Sequence, residues 1–132
     1  MICTSFQNLG FEALRAAVRK VEMGEIRLDR CALSDEEIDA LFSEDTPLIA
    51  TCRVEELLAT GHYRSYSESL REAERRLSRA VNAGARYVDV ELGVPKQMSS
   101  RLKSLCHESG TMMIRSYHNF EKTPSEQELD DA

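Results

Sequence analysis

Short apolar segments alternate with longer amphipathic stretches along the whole chain. Segment 2–6 is apolar, and after it apolar residues recur at positions 11, 14, 17, 18 and 21, which fall on one face of a helix. The same alternation predicts five strands with helices between them. The predicted strands are 2–6, 25–29, 47–53, 87–92 and 111–118, and the predicted helices are 11–21, 35–42, 67–83 and 95–108.

Strands that alternate with helices indicate right-handed βαβ units, and hence a parallel sheet covered by helices. The stretches PLIATC and TMMI are nearly continuous apolar runs, as buried parallel strands require. No GxGxxG or GxxxxGK[ST] loop follows a predicted strand, which argues against an open nucleotide-binding sheet. The expected fold class is therefore α/β, a (β/α)8 TIM barrel of which about five β/α units lie in this chain.

The chain length sets the expected extent of this barrel. A closed barrel takes at least about 200 residues, whereas the chain has 132. A further helix is predicted to begin after its N-cap Thr123 and to reach Ala132 after about two turns. We therefore expect residues 1–132 to be the N-terminal portion of a single barrel domain, in truncated form.

Composition narrows the class of ligand. The net charge is -6 without any run of five like charges, so neither nucleic acid nor an anionic membrane is expected as a partner. No apolar run reaches the ~18 residues of a membrane span and no signal-peptide pattern opens the chain, which makes the cytoplasm the expected location. The cysteines lack zinc-site spacing and are expected to be reduced and mostly buried. A small-molecule ligand is expected.

Charged residues interrupt the second predicted strand, near the strand ends where reactive groups gather in parallel α/β folds. The two-residue repeat of a strand places Glu25, Arg27 and Asp29 on one face. Three ionisable side chains on a buried strand are costly unless they pair or bind something polar. They indicate either an Arg–Asp pair that holds the strand in place or a site for a polar ligand.

The later strands end in polar residues as well. Arg53 ends the third strand, where it is suited to hold a hydroxyl or a carboxylate of a ligand, or to act as counter-ion for Glu25 or Glu91. Asp89 shares a face with Glu91 on the fourth strand. His118 ends the fifth strand, where an imidazole can transfer protons near neutral pH, although a lone histidine is more often structural.

Four segments in order, GEIRLDRC, PLIATCR, AGARYVDVEL and IRSYHNFEKTP, together resemble the class I 3-dehydroquinate dehydratase family. The resemblance implies a (β/α)8 barrel and the dehydration of 3-dehydroquinate to 3-dehydroshikimate in the shikimate pathway. In this family a lysine forms an imine with the substrate ketone, and a histidine takes a proton and returns one to the departing hydroxyl. No metal or cofactor is implied.

The resemblance also assigns roles to individual residues. His118 matches the catalytic histidine, and Glu25, Arg27 and Arg53 match residues that hold the ring hydroxyls of the substrate. Many family members have a glutamate four places after the strand-three arginine, where this chain has Leu57. The carboxylate that positions the histidine is then Glu56, Asp89 or Glu91, or the role is absent.

The imine-forming lysine of the family belongs to strand six. The lysines of this chain are predicted on helices or in the loop after strand five, and they are Lys20, Lys96, Lys103 and Lys122. We therefore expect the chain alone to be inactive. The alternative is a non-catalytic half-barrel module that self-associates through its open sheet edges, as a homodimer or another assembly. A third possibility is a barrel lyase or isomerase that uses His118 without an imine.

Overall fold

The computed structural model describes residues 2–117, which contain one sheet of five parallel strands with helices between them. The strands are β1 (Cys3–Phe6), β2 (Met23–Arg27), β3 (Leu48–Thr51), β4 (Tyr87–Glu91) and β5 (Met112–Ser116). The helices are α1 (Phe11–Val18), α2 (Asp35–Phe42), α3 (Val54–Ala59), α4 (Tyr66–Ala83) and α5 (Lys96–Ser109). Among these described helices, none has the length and apolar character that a membrane crossing demands.

The order of the strands in the sheet identifies the architecture. The strands lie in the order β1-β2-β3-β4-β5, and each neighbouring pair is parallel. A doubly wound sheet reverses its strand order at one point, whereas a barrel adds its strands consecutively. Because no reversal occurs, the prediction of an α/β fold that forms part of a (β/α)8 barrel is confirmed.

Most elements lie within two residues of their predicted bounds, but α1 ends at Val18 instead of 21 and β2 covers Met23–Arg27 instead of 25–29. At the start of α2, the backbone N–H of Glu37 donates to Ser34 Oγ and the backbone N–H of Ser34 donates to the Glu37 carboxylate, which forms a capping box. The sequence did not predict α3, because six residues are too few to show a helical repeat. Residue 118 and the helix predicted after Thr123 lie outside the described residues.

The two sides of the sheet differ. Residues paired in a parallel sheet point to the same side, and one side carries Ile26, Ala50 and Val88, which are buried in the core with side chains of the helices. Right-handed crossovers between consecutive strands place all their helices on that side. The opposite side is the open face, formed by Cys3, Ser5, Met23, Glu25, Arg27, Ile49, Thr51, Tyr87, Asp89, Glu91, Met112, Ile114 and Ser116.

Charged side chains fix α4 against its neighbours. Arg79 donates to both carboxylate oxygens of Asp39 on α2, at 2.8 and 2.7 Å. Arg76 donates to the backbone oxygen of Leu28 just after β2, at 2.6 Å, and to the Tyr63 hydroxyl at 3.0 Å. These contacts join the long helix to the loop that follows β2 at the carboxyl end of the sheet.

Candidate active site

The open face changes character along the strands. Its amino-terminal half is largely apolar and includes Met23, Ile49 and Tyr87, with Glu25 level with Ile49, whereas its carboxyl end is polar. Polar side chains at the carboxyl ends of parallel strands are the usual location of a ligand site in this architecture. The candidate site therefore lies at the carboxyl ends of β2, β3, β4 and β5.

Glu25 forms the first polar contact of the site. The hydroxyl of Thr51 on β3 donates to Glu25 Oε2 at 2.8 Å, and Thr51 itself is fully buried. The hydrogen bond turns the carboxylate of β2 toward the neighbouring strand. Sequence reasoning missed Thr51 because it lies within an apolar run, although its spacing from Arg53 by two residues places it on the polar side.

Arg27 is held by a carboxylate from its own segment. Its Nε donates to Asp29 Oδ1 at 3.1 Å and its Nη2 donates to Asp29 Oδ2 at 2.8 Å, while the Asp29 side chain is fully buried. Burial disfavours the charged guanidinium, but the hydrogen bond and charge of Asp29 outweigh it and raise the pKa of Arg27. Of the two interpretations of this strand, the structure contains the Arg–Asp pair, and that pair still leaves Nη1 of Arg27 for a ligand.

Arg53 lies at the centre of a buried network across three strands. Its Nη1 donates to Asp89 Oδ1 at 3.2 Å and its Nη2 donates to Asp89 Oδ2 at 3.3 Å. Nη1 also donates to Ser116 Oγ at 3.0 Å, and the Ser116 hydroxyl in turn donates to Asp89 Oδ1. The counter-ion of Arg53 is thus Asp89, and neither Glu25 nor Glu91, the two alternatives that the sequence left open, has that role.

The three carboxylates considered as partners of the histidine each have another contact. Glu56 on α3 pairs with Arg30 at 3.0 Å, and Asp89 belongs to the Arg53 network. Glu91 accepts a hydrogen bond at 3.0 Å from the backbone N–H of Val54, the first residue of α3. His118 lies outside the described residues, so its catalytic role and its carboxylate partner stay predictions.

Leu57 occupies the position at which many members of the family that the sequence resembles have a glutamate. Its side chain is only 1% exposed and belongs to the hydrophobic core. A carboxylate at this position on α3 would be buried among apolar side chains. The structure therefore gives position 57 a packing role.

Apart from Cys3, which is paired with Met23 and so lies on the open face, the other reactive side chain types lie away from that face. Lys20, Lys96 and Lys103 are exposed beyond α1 or on α5, and Lys122 lies outside the described residues. Cys31, Cys52 and Cys106 are buried, Cys3 is exposed, and all four are free thiols. Burial raises the pKa of each buried thiol, which makes these cysteines poor nucleophiles. Within residues 2–117, no group of three or more His, Cys, Asp or Glu side chains is arranged to hold a metal ion.

Comparison with known proteins agrees with the barrel-type fold. A family model described as type I 3-dehydroquinase matches residues 3–132. The 3-dehydroquinate dehydratase of Desulfotalea psychrophila is 33% identical over 126 residues, which cover 92% of this chain and 53% of that protein. The 3-dehydroquinate dehydratase of Methanocaldococcus jannaschii is 31% identical over 136 residues, which cover 98% of this chain and 58% of that protein.

The fold and the polar strand ends define a protein of the barrel class with a candidate site for a small polar ligand. The chain belongs to the type I 3-dehydroquinase family. It spans a little over half the length of these curated relatives.

Proposed function

We propose that the chain forms the N-terminal portion of one barrel and supplies the hydroxyl-binding and proton-transfer groups of a cytoplasmic 3-dehydroquinate dehydratase. The observation that carries this proposal is the position of Glu25, Arg27 and Arg53. Arg27 and Arg53 lie at the carboxyl ends of the adjacent strands β2 and β3, and Glu25 lies in the middle of β2, two residues before Arg27 on the same open face. Membership of the type I 3-dehydroquinase family supports dehydration of 3-dehydroquinate as the reaction at this site.

The three residues complement a substrate with ring hydroxyls. A hydroxyl both donates and accepts hydrogen bonds, whereas a carboxylate only accepts and a guanidinium only donates. Glu25 therefore accepts from a hydroxyl, while Arg27 and Arg53 donate to hydroxyl oxygens. Both arginines are already neutralised by buried aspartates, so a neutral part of the substrate suits them better than a second anion.

Dehydration requires removal of a proton next to the substrate ketone and loss of a hydroxyl. Conversion of the ketone to an imine with a lysine gives the electrons of the broken C–H bond a place to go. His118 takes that proton and returns one to the departing hydroxyl, which leaves as water. In the family the lysine belongs to strand six, and the reaction involves neither a metal nor a cofactor.

Reductive trapping of the imine tests this function. The completed enzyme is defined as these 132 residues joined to barrel strands six to eight, from the same gene where its reading frame continues or otherwise from the Methanocaldococcus jannaschii relative. Borohydride with 3-dehydroquinate should give a covalent adduct on the completed enzyme by intact mass, and none on the 132 residues alone. Replacement of the strand-six lysine by alanine is the control and should abolish the adduct.

Two outcomes would contradict the proposal. An adduct on the 132-residue chain would show that one of its own lysines is nucleophilic, against the exposed positions of Lys20, Lys96 and Lys103. Absence of both adduct and turnover in a folded completed enzyme would remove the dehydratase function itself.

His118 is tested by substitution in the completed enzyme. H118A should retain the trapped adduct but lower turnover by about 10²- to 10⁴-fold, because only proton transfer is lost. H107A is the matched control, since His107 is exposed near the end of α5, and should leave turnover unchanged. Normal turnover in H118A would exclude it from the mechanism.

A second candidate function, a self-associating half-barrel module, rests on the exposed apolar part of the open face. Met112 is 62% exposed and Ile114 is 36% exposed on β5, beside a strand edge that is unpaired within residues 2–117. Light scattering over a range of concentrations should then show a homodimer of the 132-residue chain. M112K should dissociate it, whereas L92K, which alters an exposed leucine outside the open face, should not. A monomer at all concentrations would contradict this function.

A further inference from the structure

The two arginines of the site are held by opposite edges of the guanidinium group. A guanidinium has five N–H donors, which form one end edge from Nη1 and Nη2 and one side edge from Nε and Nη2. Asp29 takes the side edge of Arg27, through Nε and Nη2. Asp89 takes the end edge of Arg53, through Nη1 and Nη2.

Ser116 completes the arrangement around Arg53. Nη1 donates both to Asp89 Oδ1 and to Ser116 Oγ. The hydroxyl of Ser116 donates its own hydrogen to Asp89, so the three side chains form a closed ring of hydrogen bonds. The hydrogen bonds of Arg53 to other residues in 2–117 come from Nη1 and Nη2, which leaves Nε–H and the neighbouring Nη2–H, the side edge, available to a ligand.

The network is buried enough to fix this orientation. The side chain of Arg53 is 8% exposed and that of Asp89 is 11% exposed, so neither charge is well solvated when separated from the other. Arg53 follows β3, while Asp89 and Ser116 lie on β4 and β5, whose register is set by the parallel sheet. The sheet therefore determines which edge of Arg53 remains for a ligand.

We propose that Asp89 and Ser116 are positioning residues that orient Arg53, so that its side edge presents two parallel donors to hydroxyl oxygens of the substrate. The inference rests on the proposed function, which has Arg53 binding the substrate, and adds how its donors are selected. Without Ser116, Nη1 gains a free hydrogen and Arg53 loses the contact that distinguishes one orientation from another. Without the charge of Asp89, the guanidinium loses its anchor.

Steady-state kinetics of the completed enzyme test the proposal. The substrates are 3-dehydroquinate and analogues that each lack one of the ring hydroxyls retained in the product. For 3-dehydroquinate, S116A should lower kcat/KM about tenfold, the size of one hydrogen bond to a charged group, and D89N should lower it about a hundredfold. For the analogue without the hydroxyl bound by Arg53, both variants should match the wild type.

Conservative and remote substitutions control for changes in folding. S116T keeps the hydroxyl and should restore most of the kcat/KM that S116A loses. S99A removes another nearly buried serine hydroxyl, which contacts the backbone of α5, and should have no effect on kcat/KM. D39N breaks an Arg–Asp pair of the same kind between α2 and α4 and should also leave kcat/KM unchanged.

The pattern across substrates separates the possible failures. Equal losses for 3-dehydroquinate and for every analogue would show that Asp89 and Ser116 act on folding alone, and would overturn the positioning role. S116A is the decisive variant if D89N does not fold. Failure of the wild-type completed enzyme to form an imine or turn over would instead refute the proposed function, independently of these variants.

Discussion

Gly84 and Gly110 offer a matched test of how tightly the helices pack. Both end a helix that leads into a strand, and both have a positive φ, 125° for Gly84 and 75° for Gly110. A Cβ on Gly84 would lie 2.9 Å from the backbone oxygen of Phe42, the last residue of α2, whereas a Cβ on Gly110 would meet nothing within 4 Å. G110A therefore measures backbone strain alone, and G84A adds a steric contact.

The expected magnitudes follow from these two terms. Alanine in the left-handed region costs about 1–2 kcal/mol, which is the expected loss in the free energy of unfolding for G110A. G84A incurs a similar or greater strain and must also push α2 away from α4, and such overpacking costs about 1–3 kcal/mol. A total of about 2–5 kcal/mol is a large share of the roughly 5–15 kcal/mol that stabilises a domain.

Urea unfolding of the 132-residue chain, followed by far-UV circular dichroism, measures both losses under the same conditions. We expect G84A to lose at least about 1 kcal/mol more than G110A, because only G84A adds overpacking. The m-values should stay equal, since the change concerns the folded state. Equal losses in the two variants would refute the steric argument and show that α2 and α4 separate without appreciable cost.

Three further predictions concern single side chains. L57E should lower the free energy of unfolding in urea by several kcal/mol, because it buries a carboxylate in the core. The control L57M should lower it by less than about 1.5 kcal/mol. If L57E were as stable as L57M, position 57 would have to lie at the surface. The hydrogen bond from Arg75 lowers the pKa of Glu72 below its ordinary value of 4.5. The ionised Glu72 therefore stabilises the folded chain above pH 4.5, and this stabilisation is lost as the pH falls through the lowered pKa. Between pH 6 and pH 3, the urea midpoint of E72Q should therefore fall less than that of the wild type. The same fall in both proteins would contradict this. A thiol reagent should modify Cys3 rapidly in the native chain and the other three cysteines only after unfolding, as read by intact mass; rapid modification of Cys52 would contradict its burial.

Local features of the sequence determined much of the fold. The strands and longer helices follow from the alternation of apolar segments, and the capping box at Ser34 and Glu37 forms between residues three positions apart. The two-residue repeat placed Glu25 and Arg27 on one face, and the Arg27–Asp29 pair joins residues two positions apart. Each of these features depends on residues that are close together in the chain, and the sequence is therefore sufficient to predict it.

Only the tertiary structure decided which groups meet across the sheet. Arg53 pairs with Asp89, 36 positions later, and with Ser116, 63 positions later, because the register of β3, β4 and β5 brings them together. The sequence offered Glu25 and Glu91 as equal alternatives, since alternation along a strand says which face a residue is on but not which residue lies opposite. Packing of the whole sheet against its helices sets that register, and with it the edge of Arg53 that is left for a ligand.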